Sequence, residues 1–133
     1  MFAGTHHVAV ICSDYDRSKR FYTEVLGFDI VAETFREERS SYKLDLAIPG
    51  GVQIELFSFP DTPPRPSRPE ACGLRHLAFV SEEFDADVSR LVGSGIAVEP
   101  VRIDPVTGQK YTFFQDPDGL PLEICEGFPV QTV

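Results

Sequence analysis

The stretch Arg75-His76-Leu77-Ala78-Phe79 repeats a pattern that the chain has already used near its N-terminus. There, His6-His7-Val8-Ala9-Val10 has the same order: a polar residue, a histidine, an apolar residue, an alanine and an apolar residue. Glu55 follows His7 by 48 residues, and Glu123 follows His76 by 47 residues. Such internal similarity is typical of a duplicated structural unit. The chain therefore contains one module used twice, with one histidine and one glutamate in each copy.

The segment between the two copies is rich in proline and marks a boundary. Residues 60–73 contain five prolines in fourteen positions, a composition that excludes a helix or a central strand. We expect a single domain over residues 1–133, with a first module at 5–59, this segment as the linker, and a second module at 74–126. From Phe128 onward we expect a loose tail.

Hydrophobic periodicity predicts the same element order, β-α-β-β-β, in both modules. Apolar residues at helical spacing indicate one helix between Asp14 and Gly27 and another over residues 82–92, with Ser81 as its cap. The polar segment 33–41 indicates a solvated loop or a sheet edge. Alternating runs predict strands at 5–11, 28–32, 42–48 and 52–59 in the first module, and at 75–80, 97–101, 110–115 and 120–125 in the second.

Composition and charge narrow the class of protein. The chain is 42% hydrophobic and 25% charged, with a formal net charge of −9. An acidic balance argues against a nucleic-acid partner, which requires a basic face. No apolar run approaches the length of about 18 residues that a membrane span needs, and no signal peptide is apparent. The three cysteines follow no CxxC spacing, which favours reduced thiols in the cytoplasm.

Strand alternation places the histidine and the glutamate of each module on one face of its sheet, with bulky apolar residues on the other. A carboxylate in a half-buried sheet is costly unless it is paired or bound to metal. Two neutral imidazoles and two carboxylates balance a divalent cation and, in an octahedral site, leave two positions open, as catalytic sites do. The predicted ligands are therefore His7, Glu55, His76 and Glu123. Their mixed nitrogen and oxygen atoms suit Zn, Ni, Co, Fe or Mn.

Neighbouring residues have simpler interpretations. His6 falls on the face opposite His7 and is expected to be structural or solvent-facing. Cys125 is expected to line a pocket rather than to bind metal, and Arg75 to form a salt bridge. Two arginines of the linker, Arg65 and Arg68, either steer an anionic substrate or belong to the linker itself.

Four motifs in register resemble the vicinal oxygen chelate superfamily, which includes glyoxalase I, bleomycin-resistance proteins, metal-dependent epimerases and ring-cleaving dioxygenases. The motifs are His7 with Asp14, RSKRFYTEVLGF at 17–28, GLRHLAF at 73–79 and FQDPDGLPLE at 114–123. The resemblance implies an α+β fold in which two βαβββ modules, with a helix in each, form an eight-stranded mixed half-barrel sheet. It also implies that the four predicted ligands hold one metal ion and that the protein is a homodimer.

A glutamate at position 55 resembles the glyoxalase I branch more than the dioxygenase and fosfomycin-type branches, which carry two histidines and one carboxylate. The resemblance implies a metal-dependent lyase or isomerase, like lactoylglutathione lyase, that acts on a small molecule derived from a 2-oxoaldehyde. Glu123 or Glu55 would move the proton through a metal-bound enediolate, and we favour Glu123. The alternatives are an Fe(II)-dependent dioxygenase on the same scaffold and a non-catalytic binding protein of the antibiotic-resistance type.

This chain departs from the glyoxalase I branch at two positions. That branch often has an arginine four residues after its first ligand and an asparagine a few residues after its second. Here these positions hold Ile11 and Phe59. The resemblance therefore does not extend to the groups that would bind glutathione, and the identity of the thiol stays open.

Overall fold

A computed structural model describes residues 1–129 of the chain. The chain divides into two compact units, Met1–Pro64 and Arg65–Val133. Each unit has one four-stranded mixed sheet, so the prediction of an α+β fold with eight strands in two βαβββ modules is confirmed. The end of the tail that we expected beyond Phe128, residues 130–133, lies outside the described residues. Within the described part of the chain, no helix has the length and apolar character needed to cross a membrane.

The first unit has the strand order β1-β4-β3-β2. Strand β4 pairs with β1 in parallel and with β3 in antiparallel orientation, and β2 forms the second edge. The elements are β1 (His7–Cys12), α1 (Tyr15–Arg20), a π-helical turn (Phe21–Val25), β2 (Asp29–Arg36), a 3₁₀ turn (Glu37–Arg39), β3 (Ser41–Ala47) and β4 (Gln53–Ser58).

The second unit repeats this arrangement with the order β5-β8-β7-β6, in which β8 pairs in parallel with β5 and antiparallel with β7. Its elements are β5 (Leu77–Ser81), α2 (Phe84–Gly93), β6 (Arg102–Ile103), β7 (Lys110–Gln115) and β8 (Pro121–Glu126).

The apolar residues that flank the two glutamates form the buried side of each sheet. Ile54 and Leu56 are completely buried on β4, and Leu122 and Ile124 are buried on β8. Helix α1 contacts β4, and helix α2 contacts β8. Each fully buried side chain of this kind contributes about 1.5–3 kcal/mol. This burial fixes the register of the two strands, because a shift of one residue would move the apolar side chains out of the core.

Both ends of the first helical segment follow their predicted signals, but the predicted cap of the second helix is wrong: α2 begins at Phe84, and its N-cap residue is Glu83 rather than Ser81. Asp14 caps α1 by accepting a hydrogen bond from the backbone N–H of Arg17 (3.0 Å). Gly27 follows the π-helical turn with a φ of 76°, a conformation that glycine adopts without steric cost. In the second unit, the Ser81 hydroxyl accepts a hydrogen bond from the backbone N–H of Glu83 (3.2 Å) and donates one to Asp87 (2.6 Å).

Two predicted elements are placed differently by the structure. The predicted strand at 97–101 is wrong: Glu99 N–H donates to Phe113 O (2.9 Å), but the ladder begins only at Arg102. Pro100 explains the difference, because it has no N–H with which to continue the ladder. In the first unit, β2 extends to Arg36 and takes up part of the polar segment 33–41. All its residues except Arg36 are exposed, as suits an edge strand.

One of the two linker arginines, Arg65, has a structural role, whereas Arg68 is exposed and lies 3.9 Å from Glu70. Arg65 donates hydrogen bonds to Ser67 Oγ (3.0 Å), to Leu74 O (2.6 Å) and to Arg75 O (3.0 Å). It therefore holds the proline-rich segment against the start of the second module. The predicted salt bridge of Arg75 is present, since its Nη1 lies 3.7 Å from Glu70 Oε1.

A pH-dependent contribution to stability arises where α1 meets β2. The hydrogen bond from Lys19 Nζ (2.6 Å) and a second from the Tyr15 hydroxyl lower the pKa of Glu33. A lowered carboxyl pKa stabilises the fold above the ordinary pKa of 4.5 and loses this effect as the pH falls through the folded value. We expect Glu33→Gln to cost about 0.5 kcal/mol at pH 7, because solvent screens the pair, and to cost almost nothing near pH 3.

Urea unfolding of both proteins at the two pH values measures this difference. Glu38→Gln is the matched control, because Glu38 takes part in none of the ion pairs found in residues 1–129. A cost for Glu33→Gln that is the same at both pH values would contradict the assignment.

Candidate metal centre

In the first unit, the structure brings His7 and Glu55 together from neighbouring strands. The parallel register of β1 and β4 places Ala9 opposite Glu55, and the small alanine leaves room for the imidazole. His7 Nε2 lies 3.4 Å from Glu55 Oε2, and the glutamate side chain is only 15% exposed. A half-buried carboxylate thus faces a ring nitrogen, as the alternation predicted.

The second unit repeats this pair with closer contact. Ala78 lies opposite Glu123 in the register of β5 and β8, and His76 Nε2 lies 2.9 Å from Glu123 Oε2. The edge of the imidazole meets the Phe113 ring, with centroids 5.2 Å apart. The other ring nitrogen of His76, Nδ1, is buried and has no hydrogen-bond partner among residues 1–129. Burying a polar atom without a partner is costly, and the nitrogen of this ring that faces the carboxylate is Nε2.

The structure shows two His–Glu pairs rather than a complete metal site. Within residues 1–129, no three His, Cys, Asp or Glu side chains are grouped so that they could hold a metal ion. The donor chemistry nevertheless fits a divalent metal, because each pair presents an imidazole nitrogen beside a carboxylate oxygen. The four-ligand site therefore stays a prediction that the chemistry of both pairs supports.

His6 contacts the first pair, contrary to the expected orientation. It is exposed, as expected, but its Nδ1 lies 2.8 Å from His7 Nδ1 and the rings meet edge to face. Alternation predicts the opposite face for His6, but the structure brings its ring against that of His7. His6 can therefore orient the His7 ring through the nitrogen that does not face Glu55.

Two charged residues beside Glu55 were missed by the sequence reasoning. Lys43 Nζ lies 3.4 Å from Glu55 Oε1 and 3.4 Å from Asp45 Oδ1. Burial alone would lower the pKa of Lys43, but the hydrogen bond to Asp45 and the charges of both carboxylates outweigh it and raise the pKa. The signal was the alternation of Lys43 and Asp45 on β3, whose register places Asp45 opposite Glu55.

The surroundings of Glu123 are different. On β7, the positions that correspond to Asp45 and Lys43 are Phe113, opposite Glu123, and Tyr111, opposite Cys125. No lysine or arginine in the described part of the chain forms an ion pair with Glu123. Glu55 is thus held by a cation, whereas the neighbours of Glu123 are a histidine, an aromatic ring and a thiol.

A cavity of about 710 Å³ opens beside Glu123 within the second unit. Its lining includes the predicted Cys125 together with Tyr111, Val106 and Phe128. Burial, followed by the charge of Glu123, raises the pKa of Cys125 to about 11. The thiol is therefore protonated at neutral pH, which agrees with its expected role as pocket lining. The volume falls in the range of small-molecule sites, about 300–1,000 Å³.

The fold and the paired residues define a known class of protein. Residues 4–124 match the family model of the Glyoxalase/Bleomycin resistance protein/Dioxygenase superfamily, and the chain belongs to this superfamily. The resemblance seen in the sequence motifs is thereby confirmed. Members of the superfamily include glyoxalase I, dioxygenases and fosfomycin resistance proteins, and they usually use a divalent metal.

Individual relatives cover almost the whole chain. The chain is 60% identical to "Uncharacterized protein YwkD" of Bacillus subtilis (strain 168) over 121 residues. This match covers 91% of the present chain and 94% of YwkD. The corresponding identity to "Uncharacterized protein YaeR" of Escherichia coli (strain K12) is 55%, with the same coverage. The crystal structure of SMU.1112c matches with a TM-score of 0.90 at 48% identity, over 95% of this chain and 100% of that one.

Proposed function

We propose that this chain is a divalent-metal-dependent lyase or isomerase of the glyoxalase I type. The observation that carries the proposal is the second His–Glu pair: Glu55 faces His7 in the first unit just as Glu123 faces His76 in the second. A site with two imidazoles and one carboxylate, as in the dioxygenase-type branches, would not require a half-buried glutamate at position 55.

Four residues would hold the metal: His7, Glu55, His76 and Glu123. Their donor atoms suit Zn, Ni, Co, Fe or Mn, and the two pairs would come from one chain or be exchanged between the chains of a homodimer. When bound, a divalent ion supplies Lewis-acid polarisation of a substrate carbonyl. The three cysteines are free thiols, which supports a cytoplasmic location.

Glu123 is the residue that we assign to proton transfer. It would accept a proton from one carbon of a 2-oxoaldehyde-derived substrate and return it to the adjacent carbon, so that no oxidant is consumed. A carboxylate with this role must move during the reaction. Movement of Glu55 would break its contact with Lys43, whereas Glu123 is not tied to a cation in the described residues. The cavity beside Glu123 gives a small molecule access to this carboxylate.

Metal reconstitution tests the proposal directly. We expect elemental analysis of the purified protein to find one divalent ion per chain. After removal of that ion, separate addition of Zn, Ni, Co, Fe and Mn should restore isomerisation of methylglyoxal–thiol adducts to thioesters, at least about 100-fold above the metal-free protein. Glutathione, 2-mercaptoethanol and 3-mercaptopropionate should be compared as thiols.

Two results would contradict the proposal and identify an alternative. Oxygen consumption by the Fe(II) form, without thioester formation, indicates a ring-cleaving dioxygenase. Small-molecule affinity that does not change when the metal is removed indicates a binding protein of the antibiotic-resistance type.

A further inference from the structure

Arg36 occupies a fixed position at the end of strand β2. The 3₁₀ turn at Glu37–Arg39 and the left-handed Ser40 (φ 45°) reverse the chain, so that Arg36 lies opposite Ser41. The Nη2 atom of Arg36 donates a hydrogen bond to Ser41 Oγ (2.7 Å), and Ser41 is completely buried. The hairpin therefore determines where the guanidinium lies.

Two aromatic rings place this guanidinium on the same face of the sheet as Glu55. The Arg36 Cζ atom lies 4.8 Å from the centre of the Phe57 ring and 5.7 Å from that of Phe59, and the two rings are stacked. Phe57 follows Glu55 by two residues on β4, so their side chains share one face. Phe57 and Glu55 are separated by roughly 7 Å along the strand, and the guanidinium lies beyond the Phe57 ring.

Among residues 1–129, the charge of Arg36 has no carboxylate counterion. Its Nε atom is buried and has no hydrogen-bond partner, and no carboxylate in residues 1–129 forms an ion pair with it. Burying an unpaired charge is costly, and the chain has 21 acidic residues that could have offset it. Other basic side chains do have a carboxylate neighbour, namely Lys19, Lys43, Arg68, Arg75, Arg90, Arg102 and Lys110. Arg20, Arg39 and Arg65 form no ion pair within residues 1–129, but only Arg36 among these arginines has a buried side-chain nitrogen without a hydrogen-bond partner there.

We propose that Arg36 binds an oxyanion, either a carboxylate or a phosphate group, on the end of the substrate that is distant from the reacting carbons. The guanidinium fork matches the geometry of both groups, and the two phenylalanine rings pack against it. This inference rests on the proposed function and adds a substrate class to it. Substrates with an anionic tail are selected, although the protein as a whole is acidic.

Equilibrium binding of unreactive probes to the purified full chain tests the proposal without turnover. The probes are 3-(methylthio)propionate, its uncharged methyl ester, and inorganic phosphate, which separates a phosphate site from a carboxylate site. We expect the preferred anion to shift the Nε–Hε signal of Arg36 in ¹⁵N NMR spectra. The acid should bind at least 10-fold more tightly than its ester if the group is a carboxylate. Arg36→Gln should weaken binding of the preferred anion about 10-fold to 100-fold, the range for a charge-assisted hydrogen bond.

Arg102→Gln is the matched control, because Arg102 also lies over a ring (Phe113, 5.9 Å) but already has Glu99 as a counterion at 3.6 Å. This variant should leave anion binding unchanged. Equal affinity of the wild-type protein for both anions and the ester would overturn the proposal without any variant. Equal loss of anion binding in Arg36→Gln and Arg102→Gln would also overturn it. Arg36→Lys, which keeps the charge but not the fork, should give intermediate affinity.

Measurements of kcat/KM with two thiol adducts show whether this inference or the proposed function has failed. Arg36→Gln should lower kcat/KM at least 10-fold for the methylglyoxal adduct of 3-mercaptopropionate and leave that of 2-mercaptoethanol unchanged if the anion is a carboxylate. Equal losses for both adducts would refute selection of an anionic tail. Absence of isomerisation by the wild-type protein would refute the proposed function, while the binding measurements still decide the role of Arg36.

Discussion

Replacement of Glu123 by glutamine is expected to lower kcat by about 100-fold to 10,000-fold, the usual contribution of a general acid–base residue, while the fold is retained. The amide has almost the same shape as the carboxylate but cannot accept the proton. The core does not depend on this side chain, because Leu122 and Ile124 are buried on the other face of β8. The measurement is kcat of the metal-reconstituted variant, with circular dichroism and thermal unfolding as checks on folding.

Glu55→Gln is the matched control for this experiment, since it removes the corresponding carboxylate of the first unit. Metal content must be measured for both variants, and kcat expressed per bound metal ion. We expect Glu55→Gln to retain more activity per metal ion than Glu123→Gln, because Lys43 already restrains Glu55 in the wild-type protein. Near-normal turnover by Glu123→Gln would remove its assigned role, and the reverse order of the two variants would transfer that role to Glu55.

The parts of the fold that depend on local backbone geometry could be predicted from the sequence. Side chains alternate along any strand, so Ile54 and Leu56 had to lie opposite Glu55, and the structure buries both. The same rule placed the histidine and the glutamate of each module on one face, and the pairing of β1 with β4 and of β5 with β8 then brings them into contact. Because the module is duplicated, the same arrangement of one histidine and one glutamate occurs twice. The second copy made a metal-binding role more convincing than a single histidine or glutamate would.

Lateral neighbours could not be predicted in this way, because they depend on the register between strands. Lys43 is 12 positions from Glu55 in sequence and contacts it only because of how β3 pairs with β4. Arg36 was part of a segment interpreted as a loop or edge, and its position over Phe57 follows from the Ser40 reversal. His6 contacts the ring of its neighbour His7, a side-chain contact that alternation does not predict. The contacts of Lys43, Arg36 and His6 are therefore known only from the structure, whereas the two His–Glu pairs were expected from the sequence.

His7→Ala is expected to abolish binding of the divalent metal as a whole, not half of it. If one ion is shared by both pairs, removal of a single ligand weakens the entire site. Loss of an outer-shell partner alone costs 10-fold to 100-fold in metal affinity, so loss of a direct ligand should cost at least about 100-fold. The metal-to-protein ratio should fall from one per chain to near zero at micromolar free metal. His76→Ala should have the same effect, although His76 and its partner Glu123 both belong to the second module and His7 belongs to the first.

His6→Ala is the control, because His6 contacts the His7 ring but is not a proposed ligand. It removes an orienting neighbour and should weaken binding less than His7→Ala does. Two separate metal sites, one per His–Glu pair, predict a different result: a wild-type ratio of two per chain that falls to one in either ligand variant. The shared ion is the assumption on which two open coordination positions, and hence a chelated substrate, depend. A ratio of one remaining in His7→Ala would therefore exclude the proposed chemistry as well as the proposed site.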